Sequence, residues 1–404
     1  MAKNEPFDCR IDPKGFLKAP GWTVRPEGRL DNLVTAWDDF GFRVAVHFPG
    51  LVRESWEFDR IENGYALFNS IEVFEKYLGS LPEYPQKNAR ELCSKTWGGK
   101  WPRVLSEQPE QYWKPFISKM ESEFIKIRDL TPDEKELPFV HAFDKRMMFL
   151  SAARGGFFGP GEYTEIAKTK FSDLGKGVGL VQIEKPKFES VFSPEIPGFL
   201  KLLFDKTDLF YTPYLSILSD YVGTEIKIKK GWIWPEPVRI FEKFSRVLGD
   251  AIKETRSDEQ SLLTANRAFK SIYTMFFGWL GRLCVCKDCD QDGEAGERCK
   301  RRGYGAELFR PDWRGLIVAG AGANLLRNVL EVYKYTKRLP VAINHDCLIY
   351  FSENENWKLD FDKTCLSDLN RFTHEWTSKA GPVLEAIKSG LNAGQIDKLI
   401  KNGG

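Results

Sequence analysis

Phe143-Asp144-Lys145-Arg146-Met147-Met148-Phe149-Leu150-Ser151 sets a carboxylate at the head of a helix-ready run. Far along the chain, Asn344-His345-Asp346-Cys347 sets a second carboxylate between two apolar, strand-like runs. Between them a helical segment ends Lys270-Ser271-Ile272-Tyr273-Thr274-Met275-Phe276-Phe277-Gly278. Two carboxylates brought together by folding could hold a pair of divalent cations, and a lysine on a helix facing them could steady a triphosphate. Those are the working parts of nucleotidyl transfer. Either aspartate alone has a plainer fate as a helix cap or turn residue. Their combination with the lysine segment turns the reading towards metal binding.

The order and local pattern of the three segments resemble the catalytic motifs of family B DNA polymerases. The family's first motif reads Asp-x-x-Ser-Leu-Tyr-Pro-Ser, so Asp144 matches the aspartate, Phe149 the tyrosine and Ser151 the final serine. The second reads Lys-x-x-x-Asn-Ser-x-Tyr-Gly; Lys270, Phe277 and Gly278 match, while Thr274 and Met275 depart. In the third, Asp-Thr-Asp-Ser, Asp346 aligns with the second aspartate and Asn344 replaces the first. The resemblance covers about residues 136 to 380. It implies two Mg2+ ions held by Asp144 and Asp346, with the backbone carbonyl of Lys145 as a further ligand. It also implies Lys270 at the triphosphate and Phe149 beneath the sugar of the incoming nucleotide, where its ring would exclude a 2′-hydroxyl. The alternative for Phe149 is a plain core residue between Met148 and Leu150. Arg267, one turn before Lys270, either joins it at the phosphates or faces water.

Composition sets wide limits. A chain of 404 residues has room for two or three units. Its net charge of +2 excludes a generally basic nucleic-acid coat, so any DNA path needs segregated charge. No stretch reads as a membrane span, and Met1-Ala2-Lys3-Asn4-Glu5-Pro6 lacks the apolar core of a signal peptide, so a cytoplasmic protein is expected. The eight cysteines are mostly scattered, which suits reduced thiols better than a disulfide framework.

Residues 1–135 read as a separate mixed domain ending in the charged, proline-marked Thr131-Pro132-Asp133-Glu134-Lys135-Glu136. Within it Val44 to Phe48 is strand-like and Ser70 to Leu78 helix-like. Lys95-Thr96-Trp97-Gly98-Gly99-Lys100-Trp101-Pro102-Arg103 mixes cations with aromatics. Such a segment either stacks on unpaired bases or anchors a domain core with its lysines in solvent. Family B enzymes usually carry a proofreading exonuclease with an Asp-x-Glu pair in this part of the chain; none occurs here, so no proofreading is expected.

Residues 136–235 then read as the first part of a palm, with strands over Gly177 to Glu184 and Ile226 to Trp234 and an apolar helix from Leu215 to Val222. Residues 236–282 read as two-helix fingers, one helix from Pro237 to Arg256 and the other from Leu262 to about Leu280. The first carries Arg239, Lys243, Arg246 and Lys253, a phosphate-facing stripe or an ordinary solvated face. Residues 283–360 return to the palm after a cysteine-rich insertion. There Cys284, Cys286, Cys289 and Cys299 either enclose a structural Zn2+ or stand as free thiols in a loop. The following Lys300-Arg301-Arg302 either contacts DNA phosphate or is a solvated charge run. A buried helix from Pro311 to Tyr335 leads to Val341-Ala342-Ile343 and Leu348-Ile349-Tyr350, a hairpin with Asp346 at its turn. Residues 361–404, beginning near Phe372-Thr373-His374-Glu375-Trp376, read as a short thumb with little surface to grip duplex DNA.

The chain thus reads as a compact α+β right-hand polymerase: antiparallel palm sheet, two-helix fingers, short thumb and a mixed N-terminal domain. Its expected partners are primer-template DNA, deoxynucleoside triphosphates and a replication initiator or priming protein, with no membrane. Asn344 and the short thumb keep open a polymerase-derived DNA-binding or recruitment protein without catalysis. A primase-like enzyme is the third reading.

Overall fold

The computed structural model describes residues 10–11, 17–18, 22–26, 33–38, 43–47, 73–74, 76–79, 85–97, 114–116, 125–185, 199–200, 207–220, 225–256, 260–281, 309–358 and 372–403. The chain mixes helices with antiparallel sheets and divides into two compact units. One comprises Met1–Trp101 and Phe241–Trp279, the other Pro102–Ile240 and Leu280–Gly404. Among the described residues no helix is long and apolar enough to cross a membrane.

In the first unit β1 (Arg10–Ile11) pairs with β2 (Leu17–Lys18), and β3 (Trp22–Pro26), β4 (Leu33–Asp38) and β5 (Arg43–His47) form an antiparallel meander. Helix α1 (Pro85–Trp97) packs on α5 (Glu242–Glu254) and α6 (Gln260–Trp279). The buried positions of α6, Phe269, Ile272, Tyr273 and Phe276, recur at the three-and-four spacing of one helix face. They meet Phe241, Phe244, Leu248 and Ile252, with Phe244 and Phe276 ring centroids 5.5 Å apart. Each such aromatic contributes roughly 1.5–3 kcal/mol by leaving water. Helix α5 starts at Glu242 rather than at Pro237. Residues 235–240 are irregular and pinned at Val238 by its bridge to Phe158, with both amide-to-carbonyl bonds at 2.9 Å, and Pro235 and Pro237 have no amide hydrogen to offer a helix.

The second unit holds two sheets. Strands β6 (Ile125–Ile127), β7 (Phe139–Lys145), β12 (Ala342–Asn344), β13 (Cys347–Ser352) and β14 (Phe372–Lys379) form an antiparallel sheet in the order β14-β7-β13-β12-β6. Strands β8 (Thr164–Lys170), β9 (Val178–Ile183), β10 (Leu209–Tyr211) and β11 (Lys227–Trp234) form another in the order β10-β9-β11-β8. Helix α4 (Thr212–Leu218) ends earlier than expected, at Leu218. Helices α3 (Met148–Gly155) and α4 pack on α7 (Pro311–Thr336), which is buried along most of its length.

Period-two alternation divides the faces of the five-stranded sheet. Val140, Ala142, Cys347, Ile349 and Phe351 build one core with Val383, Ala386 and Ile396 from α8 (Ala380–Lys388) and α9 (Ala393–Gly403). The other face gathers His141, Phe143, Tyr350, Trp357 and His374, with Phe143 and His374 rings 5.3 Å apart.

Two segments differ from their reading in the sequence. The stretch Thr131–Glu136 is a capped helical turn, not a linker. Thr131 and Glu134 form a capping box around α2 (Pro132–Lys135), and the Arg128 guanidinium ties Glu134 to the carbonyls of Leu339 and Pro340 at 2.9 and 3.0 Å. With β6 paired to β12, this turn directly follows a strand of the sheet that carries Asp144. Phe372–Lys379, where the thumb was expected to begin, is an edge strand paired with β7.

Candidate functional site

Asp144 is the penultimate residue of β7 and half-buried. The chain leaves the strand through Arg146 and Met147 and enters α3 at Met148, so the aspartate closes a strand rather than capping the helix. Asp346 lies in the two-residue turn of the β12–β13 hairpin, where Asn344 pairs with Cys347. Cys347 is the cross-strand partner of Asp144, and the amide of Lys145 donates to the carbonyl of Asp346 at 2.8 Å. The register thus brings the two carboxylate-bearing residues to adjoining ends of neighbouring strands, although 201 residues of chain separate them in sequence.

Both segments carry a backbone residue in the left-handed region. Met147 has φ 48° and His345 φ 54°. A side chain there costs roughly 1–2 kcal/mol, and glycine would be the unstrained choice. Neither turn uses it. From the other flank, the Thr373 hydroxyl on β14 donates to the carbonyl of Asp144 at 3.4 Å and accepts from Arg146 Nε at 3.3 Å. Downstream of α3 the chain is fixed by Gly159, where a Cβ would fall 1.9 Å from the Trp234 ring. Its carbonyl accepts from Arg310 at 2.7 Å and from the Trp313 indole at 2.8 Å.

Lys145 has a side chain that is fully buried, with no hydrogen-bond partner for Nζ among the described residues. The amine stands 5.8 Å from the Phe372 ring centroid. Burial alone pulls its pKa down to about 8. This burial was legible only as a strand position on the face opposite Asp144. Asn344 lies where α9 begins: a Cβ on Gly394 would approach its Oδ1 to 3.3 Å.

Phe149 is half-buried on α3 between buried Met148 and Leu150. Lys270, on α6 of the first unit, is exposed and its carbonyl accepts from the Thr274 hydroxyl at 2.9 Å. Phe277 belongs to the aromatic core of that unit, with ring centroids 5.8 Å from Phe241 and 6.0 Å from Tyr273; Gly278 is half-buried. The side chain of Arg267, the four cysteines Cys284, Cys286, Cys289 and Cys299, and Lys300, Arg301 and Arg302 lie outside the described residues.

No protein-family model matches the sequence, and no curated protein does. Among solved structures the chain resembles Phi29 DNA polymerase complexed with primer-template DNA and incoming nucleotide substrates, with a TM-score of 0.50 at 14% identity. It resembles the post-translocation binary complex of the same polymerase with primer-template DNA at TM-score 0.51 and 13% identity. Each match covers 81% of this chain and 58% of the polymerase. The fold is polymerase-like. The chain spans less than two thirds of the polymerase's length, and at this identity the likeness is one of fold alone.

The donor set at the strand ends suits Mg2+ better than a structural metal. Among the described residues no three His, Cys, Asp or Glu side chains gather into an all-protein cage. Mg2+ commonly takes one or two carboxylates and completes its shell with water and substrate phosphates. Asp144 and Asp346 fit that requirement. A cleft of about 670 Å³ elsewhere on this unit, lined by Arg128, Glu134, Tyr333, Arg338, Phe351 and Glu353, includes neither aspartate.

Proposed function

We propose that the protein is a template-directed DNA polymerase that adds deoxynucleotides to a primer 3′-hydroxyl without proofreading. The observation that carries this reading is the strand register that draws Asp144 and Asp346 together within a polymerase-like fold. Two left-handed residues flanking the same aspartates agree with it, since backbone strain gathers where geometry is held for function. Bound Mg2+ would acidify the primer hydroxyl and hold the triphosphate. In this mechanism Asp144 and Asp346 would supply the anionic oxygens that hold the metal, with the Lys145 carbonyl as a further ligand. Lys270 neutralises charge on the phosphates as the bond forms, and Phe149 closes the space that a 2′-hydroxyl would need. Primer-template DNA and deoxynucleoside triphosphates are the substrates.

Asn344 favours a second reading, a polymerase-derived DNA-binding protein without catalysis, because an amide stands where the family motif has a carboxylate. Primer extension separates the two. The parent protein with Mg2+ should lengthen a labelled primer, and Asp144→Asn or Asp346→Asn should each lower the rate by on the order of a thousandfold with DNA binding retained. Tight DNA binding by the parent with no extension would establish the second reading instead.

A further inference from the structure

Two of the four histidines in the chain, 233 residues apart in sequence, meet across β7 and β14. His141 Nε2 lies 3.0 Å from the carbonyl oxygen of Asn354 and 2.9 Å from Ser352 Oγ, whose own hydrogen goes to that same carbonyl at 2.7 Å. Both neighbours can only accept, so Nε2 carries the ring proton and Nδ1 presents a lone pair. That lone pair faces the Thr377 hydroxyl at 3.1 Å and His374 Nε2 at 3.3 Å, while the hydroxyl lies 2.9 Å from His374 Nε2. One arrangement pairs all three of these atoms: His374 Nε2–H donates to Thr377 Oγ1, and the Thr377 hydroxyl donates to His141 Nδ1.

One added proton fits the same line. Placed on His141 Nδ1 it reverses the direction, so that Nδ1 donates to Thr377 and the hydroxyl donates to His374, whose remaining proton moves to Nδ1. A second proton puts positive charge on both rings, with the facing nitrogens 3.3 Å apart. Among the described residues no carboxylate acts on either ring: burial and His374 lower the His141 pKa against a raising effect of the Asn354 carbonyl, and burial and Lys358 lower that of His374. Among the described residues, β13 and the turn after it bring Ser352, the Asn354 carbonyl, the Trp357 ring edge and the Lys358 charge, and β14 brings Thr377 and His374.

We propose that His141, Thr377 and His374 form a proton-gated latch between β7 and β14, closed with no proton or one and opened when both rings are charged. Opening withdraws Thr373, the neighbour of His374, from the Asp144 main chain. The latch is independent of whether the protein polymerises DNA. Both histidines sit below their ordinary pKa when folded, so the stability they lend is complete above about 6.5 and is lost as pH falls through the folded values.

Amide hydrogen exchange of the full chain, corrected for intrinsic rates, reads the latch directly. In the parent the amides of residues 372–379 should exchange at least about tenfold faster at pH 5 than at pH 7, relative to those of 347–352. His374→Gln, which keeps a neutral donor for Thr377, should remove most of that difference. Thr377→Val, nearly isosteric, should speed exchange of 372–379 already at pH 7. Equal acid sensitivity in parent and His374→Gln would overturn the proposal. So would protection of 372–379 by added zinc in the parent and not in His374→Gln, which would make the pair a metal site.

Discussion

The aspartates and Lys270 are held by opposite means. Asp144 and Asp346 are set by main-chain register: adjoining strand ends, one amide-to-carbonyl bond of 2.8 Å between their segments, and two left-handed turns. Lys270 stands exposed on a helix whose other face is fastened by Phe269, Tyr273, Phe276 and Phe277. On the sheet, position comes from hydrogen-bonded backbone, so the side chains need not pack. On the helix, position comes from packing on the far side, so the exposed face is free to carry charge. Function and stability should therefore separate cleanly on the helix and poorly at the strand ends.

The helix gives the largest test. Phe277→Ala should cost about 3–5 kcal/mol in unfolding free energy, because it empties a ring-packed core. Lys270→Ala should leave stability within about 0.5 kcal/mol while lowering primer extension by roughly a hundredfold or more. Denaturant melts alongside extension rates check both. A Lys270→Ala protein that is both unstable and fully active would break the comparison.

Lys145 sharpens it from the other side. Its amine is buried beside the strand end that carries Asp144, and burial lowers its pKa to about 8 from the 10.5 of a free lysine. The folded state thus favours the neutral amine. Stability should be greatest above 10.5 and fall as pH drops through 8, where the buried group takes on charge. Lys145→Met should raise unfolding free energy at pH 7 by about 1–3 kcal/mol and flatten that alkaline profile. An unchanged profile in denaturant melts between pH 7 and 10.5 would show the amine reaching water.

The smallest effect concerns Phe149, half-buried on α3. Phe149→Ala should raise the efficiency of ribonucleotide relative to deoxynucleotide incorporation on one primer-template, even where total activity falls. An unchanged ratio in a folded, active variant would assign the ring to the core.

Much of this architecture was legible in the chain. The period-two runs around Asp346 gave the hairpin, and the apolar spacing over 311–335 gave α7 within a residue. The capping-box signature Thr131-x-x-Glu134 was also present, yet proline and charge drew the reading towards a linker, because the signature does not reveal what Arg128 binds 211 residues away. Phe372–Trp376 misled in a similar way. Alternation marks a strand but not its partner, and only pairing with β7 put it in the sheet of Asp144.

What the sequence determined by itself was local: which segments are helix or strand, and which carboxylates and lysine stand in the order that resembles the family's motifs. Only the tertiary structure decided that Cys347 faces Asp144, that Phe277 serves the core, that the Lys145 amine is buried, and that His141 meets His374. The physical reason is range. Propensity and periodicity act over a few neighbouring residues, whereas cross-strand register and burial arise from contacts made across hundreds of positions of chain.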